Sequence, residues 1–277
     1  MLALAALSLL GCHSTKLAPA DLDGLAHWYW SEYDGVDSPD GDDAAVISAT
    51  LNLDAALGGQ AADAPLTGTL TDLSDDEQAL VALDPARDVS LSAGMFIANT
   101  LPCTLDQIER ISIALDQDAQ YPGTYDTYDR SYTSDSDAYL ARETPYLTWE
   151  SHIDATVLGA SYHEDVDGGA RYVTDDGSVE GGLGDMFITR VWLPTPATFF
   201  NADGSVDEDG GKSFDQDYQL EIYYPLSSTE IAHYYALWRQ MDYGAGLNTD
   251  ASSVQNTMLD ALLKWDDANA KLCEDGF

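Results

Sequence analysis

The chain has 277 residues, of which 45% are hydrophobic and 10% aromatic, so it is long enough and apolar enough to bury a substantial core. Its 49 acidic residues against 11 basic ones give a formal net charge of −38. Such a surface repels the phosphates of nucleic acids and the headgroups of anionic lipids, which excludes both as direct partners.

The excess of acidic residues has three explanations. The first is adaptation to salty surroundings, where an Asp-rich, Lys-poor surface stays soluble and ions screen the repulsion between like charges. The second is calcium binding, because clusters of carboxylates favour that ion. Calcium is the one alternative to our prediction that the protein has no cofactor. The third explanation is recognition of a cationic partner.

The first ten residues, MLALAALSLL, form an apolar run without a charge. The run is shorter than the about 20 residues that cross a bilayer as a helix, and it has the length of a signal-peptide core. The residues that follow complete Leu9-Leu10-Gly11-Cys12, which resembles the lipobox of bacterial lipoproteins. The resemblance implies a signal peptide at 1–11, lipid on Cys12 and a tether at 12–21. Because no Lys or Arg precedes the run, we expect the true start to lie upstream of Met1.

Lipid on Cys12 would anchor the protein to a membrane, and two or more acyl chains hold stably. The next residue is His13 rather than Asp, and Asp at that place retains enteric lipoproteins in the inner membrane. The resemblance therefore implies an outer-membrane lipoprotein of the cell envelope, either periplasmic or exposed at the surface. The alternative is a buried N-terminal helix with an incidental cysteine.

Residues 22–88 are predicted to form an aromatic and acidic segment that packs on the body of the protein. Residues 45–53 form either a strand or a helix, because the spacing of their apolar residues does not settle which period applies. The parts in chain order are an aromatic stretch at 22–33, an acidic loop at 34–43, the open element at 45–53, a strand at 67–73 and a short helix that the Ser74–Glu77 capping box begins.

Residues 89–277 are predicted to form an α+β domain, in which an antiparallel sheet packs against a long C-terminal amphipathic helix. The helix at 253–273 presents a wide apolar face that needs a large partner, and a sheet supplies one. The other predicted elements are a strand at 89–100, a helix at 104–117 with a Thr104–Gln107 capping box, antiparallel strands within 121–170, strands at 187–193 and 217–224, and a helix at 227–244.

This order of elements over residues 89–277 resembles the helix-grip fold of the START-like superfamily. The resemblance implies a sheet that grips the last helix around an apolar cavity for a hydrophobic ligand, with Met258, Leu262 and Trp265 on the gripped helix. The sequence departs from that pattern in one place. The predicted helix at 227–244 stands where the last strand should lead directly into the final helix.

The cysteines fit an exported protein. With Cys12 assigned to lipid, Cys103 and Cys273 remain as an even pair in an oxidising compartment, and we predict a disulfide between them. The alternative is a pair of buried free thiols.

No catalytic motif and no metal-ligand spacing is present among the four histidines beyond the tether, His27, His152, His163 and His233. The run His163-Glu164-Asp165 suits either a cation site or a hydrated acidic turn. The acidic stretches at 34–43 and 203–210 have alternating carboxylates without the bidentate Glu of an EF-hand, and we interpret them as solvated loops.

Aromatic side chains suit sugar stacking, although most of them are expected to fill the core. The residues in question are Trp28, Trp30, Tyr121, Tyr125, Tyr128, Tyr132, Trp149 and Trp192. The first functional hypothesis is a non-enzymatic envelope lipoprotein that serves binding or structure. The alternatives are a hydrolase of envelope polysaccharide and a START-like binder of a hydrophobic ligand. An enclosed apolar cavity favours binding, whereas an open aromatic cleft with two convergent carboxylates favours hydrolysis.

Metabolic labelling with an alkyne fatty acid tests the predicted anchor. We expect the native chain to take up the label and Cys12→Ala to lose it, because acylation requires the cysteine thiol. The labelled protein should also fractionate with membranes. Equal labelling of the two chains would contradict the lipobox interpretation.

Overall fold

The computed structural model describes residues 17–34, 43–58, 64–157, 159–207, 211–244 and 247–277. The predicted signal peptide and the lipidation at Cys12 lie outside these residues, as do most of the acidic stretch 34–43 and the end of 203–210. Among the described helices, none is long and apolar enough to cross a membrane.

The elements follow one another along a chain that alternates helices with long strands. The helices are α1 (Leu22–Glu32), α2 (Asp43–Leu57), α3 (Asp75–Gln78), α4 (Leu105–Ile113), α5 (Gln117–Gln120), α6 (Ser136–Leu140) and α7 (Ser252–Glu274). The strands are β1 (Leu66–Leu70), β2 (Ala93–Leu101), β3 (Thr127–Tyr132), β4 (Tyr146–Val157), β5 (Ala160–Val173), β6 (Met186–Trp192), β7 (Thr198–Phe200), β8 (Ser213–Pro225) and β9 (Ile231–Asp242).

The described strands form one antiparallel sheet in the order β1-β2-β9-β8-β6-β5-β4-β3, with β7 paired to β5. α7 packs against this sheet through β2. The α+β class with a C-terminal helix on an antiparallel sheet is therefore confirmed. β1 comes from the segment 22–88 and pairs with β2, so that segment contributes a strand to the sheet as well as helices that cover it.

The predicted helix at 227–244 is wrong, because residues 231–242 form strand β9 between β2 and β8. Both faces of this strand are buried. Tyr234 and Trp238 pack beneath the N-terminal helices on one face, which we call the outer face. Tyr235 and Met241 point to the inner face, where α7 lies. The sequence of a strand that is buried on both faces is a nearly continuous apolar run. It therefore lacks the alternation of polar and apolar residues by which a strand is predicted.

With β9 as a strand, the one departure from the helix-grip pattern disappears. β9 leads through a short connection into α7, and the strand order places β9 beside β2. The other boundaries follow the predictions closely. Both capping boxes are present, at Ser74 and at Thr104. The open element at 45–53 is helix α2, and α4 ends at Ile113, before the predicted end at 117.

The outer face of the sheet is covered by α1 and α2. Trp30 of α1 packs edge-on against Trp238 of β9, with ring centroids 6.0 Å apart. Arg171 of β5 donates to the carbonyl oxygens of Glu32 and Tyr33 at the end of α1. Aromatic packing and buried guanidinium groups thus hold the N-terminal segment on the sheet.

The C-terminal helix is fixed to the rest of the protein at both of its ends. Val254 and Met258 in its first half are buried in an apolar cluster on the inner face. At its other end, Cys273 forms the predicted disulfide with Cys103, at a Cα–Cα distance of 5.3 Å. The bond closes a loop of 170 residues, so it restricts the unfolded chain strongly.

Removal of the disulfide is predicted to destabilise the fold. By the chain-entropy model the double variant Cys103→Ser/Cys273→Ser loses up to about 5 kcal/mol in its free energy of unfolding. Denaturant titration of the variant and the native chain measures this loss. Intact mass with and without reductant is the control, because reduction of a disulfide adds two hydrogens. Equal stability of oxidised and reduced chains would contradict the prediction.

Candidate functional site

A cavity of about 260 Å³ lies between α7 and the inner face of the sheet. The middle of α7 closes it with Ala261, Leu262, Trp265 and Asp266. Leu262 and Trp265 were predicted at this position, whereas Met258 is buried in the neighbouring apolar cluster instead. The cavity is smaller than the roughly 300–1,000 Å³ typical of drug-sized ligand pockets, so its volume suits a molecule of about one ring with a short substituent.

Aromatic rings form much of the wall. Trp265 stacks on Tyr121 with ring centroids 3.8 Å apart, and Tyr125 meets the same indole edge-on. Trp149 and Tyr128 also line the cavity, and the guanidinium of Arg130 lies over the Trp149 ring. Most of the predicted aromatic residues therefore divide into two groups. Those at 121, 125, 128 and 149 reach the cavity, and those at 28 and 30 fill the core on the outer face. The remaining two, Tyr132 and Trp192, belong to neither group, since they are half-buried and donate to backbone carbonyl oxygens.

A buried charged network ties the middle of α7 to the sheet. His233 of β9 is 1% exposed, and its Nδ1 lies 2.8 Å from Oδ1 of Asp266, which is fully buried. Nε2 of His233 lies 3.3 Å from Oε2 of Glu221 but outside hydrogen-bonding geometry. Glu221 instead accepts hydrogen bonds from Thr189 and Tyr223.

The charged forms of His233 and Glu221 stabilise each other. Burial alone would lower the pKa of His233, but the carboxylates of Asp266 and Glu221 outweigh it and raise the pKa to about 9. Burial likewise opposes ionisation of Glu221, yet the nearby charge of His233, with the hydrogen bonds from Tyr223 and Thr189, lowers its pKa overall. A protonated imidazole between two carboxylates at neutral pH follows from these directions.

A second charged group at the cavity consists of Arg239 and Asp217. The guanidinium donates two hydrogen bonds to the carboxylate, at 2.8 and 2.9 Å. Burial would lower the pKa of Arg239, but the Asp217 carboxylate raises it above the ordinary value. This bidentate arrangement satisfies Asp217 and fixes Arg239 in one orientation.

Glu164 of β5 is the exception among the charged residues of the cavity. Its carboxyl group faces the cavity and has no hydrogen bond or ion pair with any residue that the structure describes. Burial and the nearby Asp217 carboxylate raise its pKa to about 8, against a smaller opposing effect of Arg239. Glu164 is half-buried, and an unpartnered carboxyl group in a partly enclosed cavity is costly to the fold. Such groups in clefts are candidates for function.

Three tyrosines lie within electrostatic reach of this carboxyl group. Glu164 is close enough to raise the pKa of Tyr125, Tyr162 and Tyr243 by its charge, in addition to the effect of burial. The hydroxyl groups of Tyr125 and Tyr162 form no hydrogen bond within the described part of the chain. The site therefore offers ring faces, free hydroxyl groups and one carboxyl group to a ligand.

The sequence analysis named Glu164 only within a candidate cation run with His163 and Asp165, and it placed no functional role on His233 or Arg239. A signal for Glu164 existed in β5, where Tyr162, Glu164 and Val166 alternate with His163 and Asp165. Strand alternation puts the first three on the inner face and the other two on the outer face. The interpretation of 163–165 as an acidic turn is wrong, because these residues lie within a strand.

The remaining predicted candidates lie away from the cavity. His27 of α1 contacts Glu77 and Thr71 on the outer side. His152 and His163 lie together on the outer face of β4 and β5 with Asp165. In the described part of the stretch 203–210, Asp203 accepts hydrogen bonds from Ser205, as a solvated turn does.

The buried network predicts a specific loss of stability. Asp266→Asn leaves protonated His233 with less compensation, so we expect the free energy of unfolding at pH 7 to fall by about 3–5 kcal/mol. The pKa of His233 is raised on folding, so its contribution is fully present below pH 6.5 and is lost as pH rises through about 9.

Denaturant titrations between pH 6 and 10 measure both effects. Asp267→Asn is the matched control, because Asp267 is the exposed neighbour on the same helix, and it should change stability by less than about 0.5 kcal/mol. An Asp266→Asn protein as stable as this control, or with an unchanged pH profile, would show that the network does not hold the helix.

No protein-family model and no curated protein matches the sequence. Similar solved structures include a START superfamily protein from Mycobacterium smegmatis, at 10% identity and a TM-score of 0.40, covering 66% of this chain and 97% of that one. Human STARD10 is 6% identical with a TM-score of 0.39, covering 75% of this chain and 82% of that chain.

The human StarD13 lipid transfer and protein localization domain is 6% identical with a TM-score of 0.31, covering 70% of this chain and 84% of that chain. At these identities the similarity concerns the arrangement of sheet and helices alone. In that arrangement this chain is similar to START-like proteins.

Proposed function

We propose that this chain is a binding protein of the cell envelope, anchored through lipid on Cys12, whose cavity takes a small organic cation with an aromatic or apolar body. The observation that carries the proposal is the carboxyl group of Glu164, which lines an aromatic cavity and has no partner among the residues that the structure describes. A ligand with an ammonium group would supply the missing partner.

The cations already present at the cavity are engaged by the protein. Arg239 is held by Asp217, and His233 lies between Asp266 and Glu221. Arg130, the third cation of the lining, donates to the backbone carbonyl oxygens of Ser112 and Ala114. None of the three therefore forms an ion pair with Glu164. A bound ammonium group would do so, and the low local dielectric would strengthen the attraction.

The aromatic wall supports the same ligand class. Ring faces attract cations by about 0.5–2 kcal/mol, and aromatic cages are the usual receptors of quaternary ammonium groups. Tyr125, Tyr162 and Tyr243 lie within electrostatic reach of Glu164. Trp265 and Leu262 offer apolar surface to the rest of the ligand. The proposal thus unites the predicted hydrophobic ligand with the predicted cationic partner.

The cavity gives less support to polysaccharide hydrolysis. Glycosidases need two carboxyl groups that converge on one bond. Of the described carboxyl groups that line the cavity, Asp266 and Glu221 are held by protein donors. Glu164 alone remains available, which suits recognition of a charge better than paired acid–base chemistry.

Calorimetric titration with benzyltrimethylammonium, benzylamine and benzyl alcohol tests the proposed function. We expect both cations to bind at least tenfold more tightly than the alcohol, since one ion contact of about 1.4 kcal/mol gives a tenfold difference. Glu164→Gln should remove this preference. Glu150→Gln is the matched control, because Glu150 is exposed on the neighbouring strand β4.

The pH profile separates charge recognition from simple hydrogen bonding. Benzyltrimethylammonium has a fixed charge, so its affinity should rise as Glu164 ionises with a pKa of about 8. Affinity that falls through the same range would mean that the protonated carboxyl donates to a neutral ligand. That result, or equal affinity for the alcohol and the cations, would overturn the proposal.

A further inference from the structure

The outer face of the β4–β5 hairpin brings two histidines together with two carboxylates. In the antiparallel pairing, His152 lies opposite Asp165 and Asp154 lies opposite His163. Strand alternation directs these four side chains away from the cavity, whereas Glu164 points into it. The cluster is therefore separate from the proposed ligand site, although the two share strand β5.

We propose that His152, His163 and Asp165 form a binding site for a divalent transition metal ion of the zinc class. Each offers one ligand atom, and the three atoms lie within 4.8 Å of one another. A single oxygen, Oδ1 of Asp165, lies 2.5 Å from Nδ1 of His152 and 3.2 Å from Nε2 of His163. Two imidazoles and a carboxylate thus converge on one point.

The distances between the donor atoms suit an ion with tetrahedral coordination. Zinc bonds of about 2.0–2.2 Å separate neighbouring ligand atoms by about 3.4 Å. The distance between Asp165 and His163 is already close to that value, the contact of His152 with Asp165 must widen, and the ligand atoms of the two imidazoles lie within 4.8 Å of each other. Rotation of two exposed side chains accomplishes this, because His152 is 57% exposed and Asp165 is 48% exposed.

A further carboxylate orients one of the ligands. Oδ1 of Asp154 lies 2.9 Å from Nδ1 of His163, and its other oxygen accepts a hydrogen bond from Thr127. A proton held on Nδ1 by Asp154 leaves Nε2 unprotonated and aimed at Asp165, as metal binding requires. Carboxylates in this position raise the basicity of a metal-bound imidazole.

The donor set selects the class of metal. Two nitrogen donors and one oxygen donor favour zinc and its transition-metal neighbours, whereas calcium and magnesium prefer oxygen donors throughout. Many carboxylates on this acidic chain can attract any divalent ion weakly, but the paired imidazoles make this place distinct. Three protein ligands leave at least one coordination position for water or an external ligand.

Calorimetric titration of the full chain with zinc tests the site, with calcium and magnesium as comparison ions. We expect one zinc site that the double variant His152→Ala/His163→Ala loses, and no matching site for calcium or magnesium. Asp154→Asn should weaken zinc binding about 10–100-fold without removing it, because Asp154 contacts the His163 imidazole and is not itself a proposed metal ligand. Asp106→Asn, an exposed carboxylate on α4, should leave binding unchanged.

Circular dichroism of each variant checks that the sheet is intact, which the exposure of these side chains leads us to expect. The proposal is overturned if the double variant keeps the native zinc affinity, since binding would then belong to scattered carboxylates or to another site. It is overturned equally if calcium binds more tightly than zinc. Both outcomes are independent of whether the cavity binds an organic cation.

Discussion

The fixation of the C-terminal helix at both ends keeps a cavity open beneath its middle. Val254 and Met258 hold the first half in an apolar cluster, and the disulfide to Cys103 holds the last turn. Between these points a cavity separates part of the helix from the strands, and polar side chains face it from both sides. Asp266 reaches His233 across this space and completes the attachment with charge. The cavity is thus a product of how the helix is tethered.

The polar lining of the cavity is possible because most of its groups satisfy one another. Arg239 pairs with Asp217, and His233 lies between two carboxylates. These pairings offset part of the desolvation penalty of the charged groups. Glu164 is left without such compensation among the described residues. The site therefore combines a rigid, internally bonded frame with one group whose partner must come from outside. Preorganisation of this kind lowers the entropy that a ligand loses on binding.

Much of the fold could be predicted from the sequence, because helix caps and amphipathic stripes are local. The capping box at Thr104 and the apolar face of α7 placed their helices correctly. The type of β9 could not be predicted in this way. Helices α1 and α2 bury its outer face, and this long-range packing removes the alternation that identifies a strand. The role of Glu164 was hidden for a related reason. The alternation over residues 162–166 gives its face, but one carboxyl among 49 acidic residues does not stand out until strand pairing fixes what that face meets.

The turn between β4 and β5 sets the pairing in which Val157 faces Ala160, with Gly159 at a positive φ of 77°. Because side chains in a strand alternate, a slip of β5 by one residue would exchange the faces of that strand. His163 would then turn toward the cavity and Glu164 toward the solvent, while His152 of β4 stayed in place. Evolution can vary the residues of this hairpin more freely than its length. Homologues should therefore tolerate substitutions here but exclude single-residue insertions and deletions.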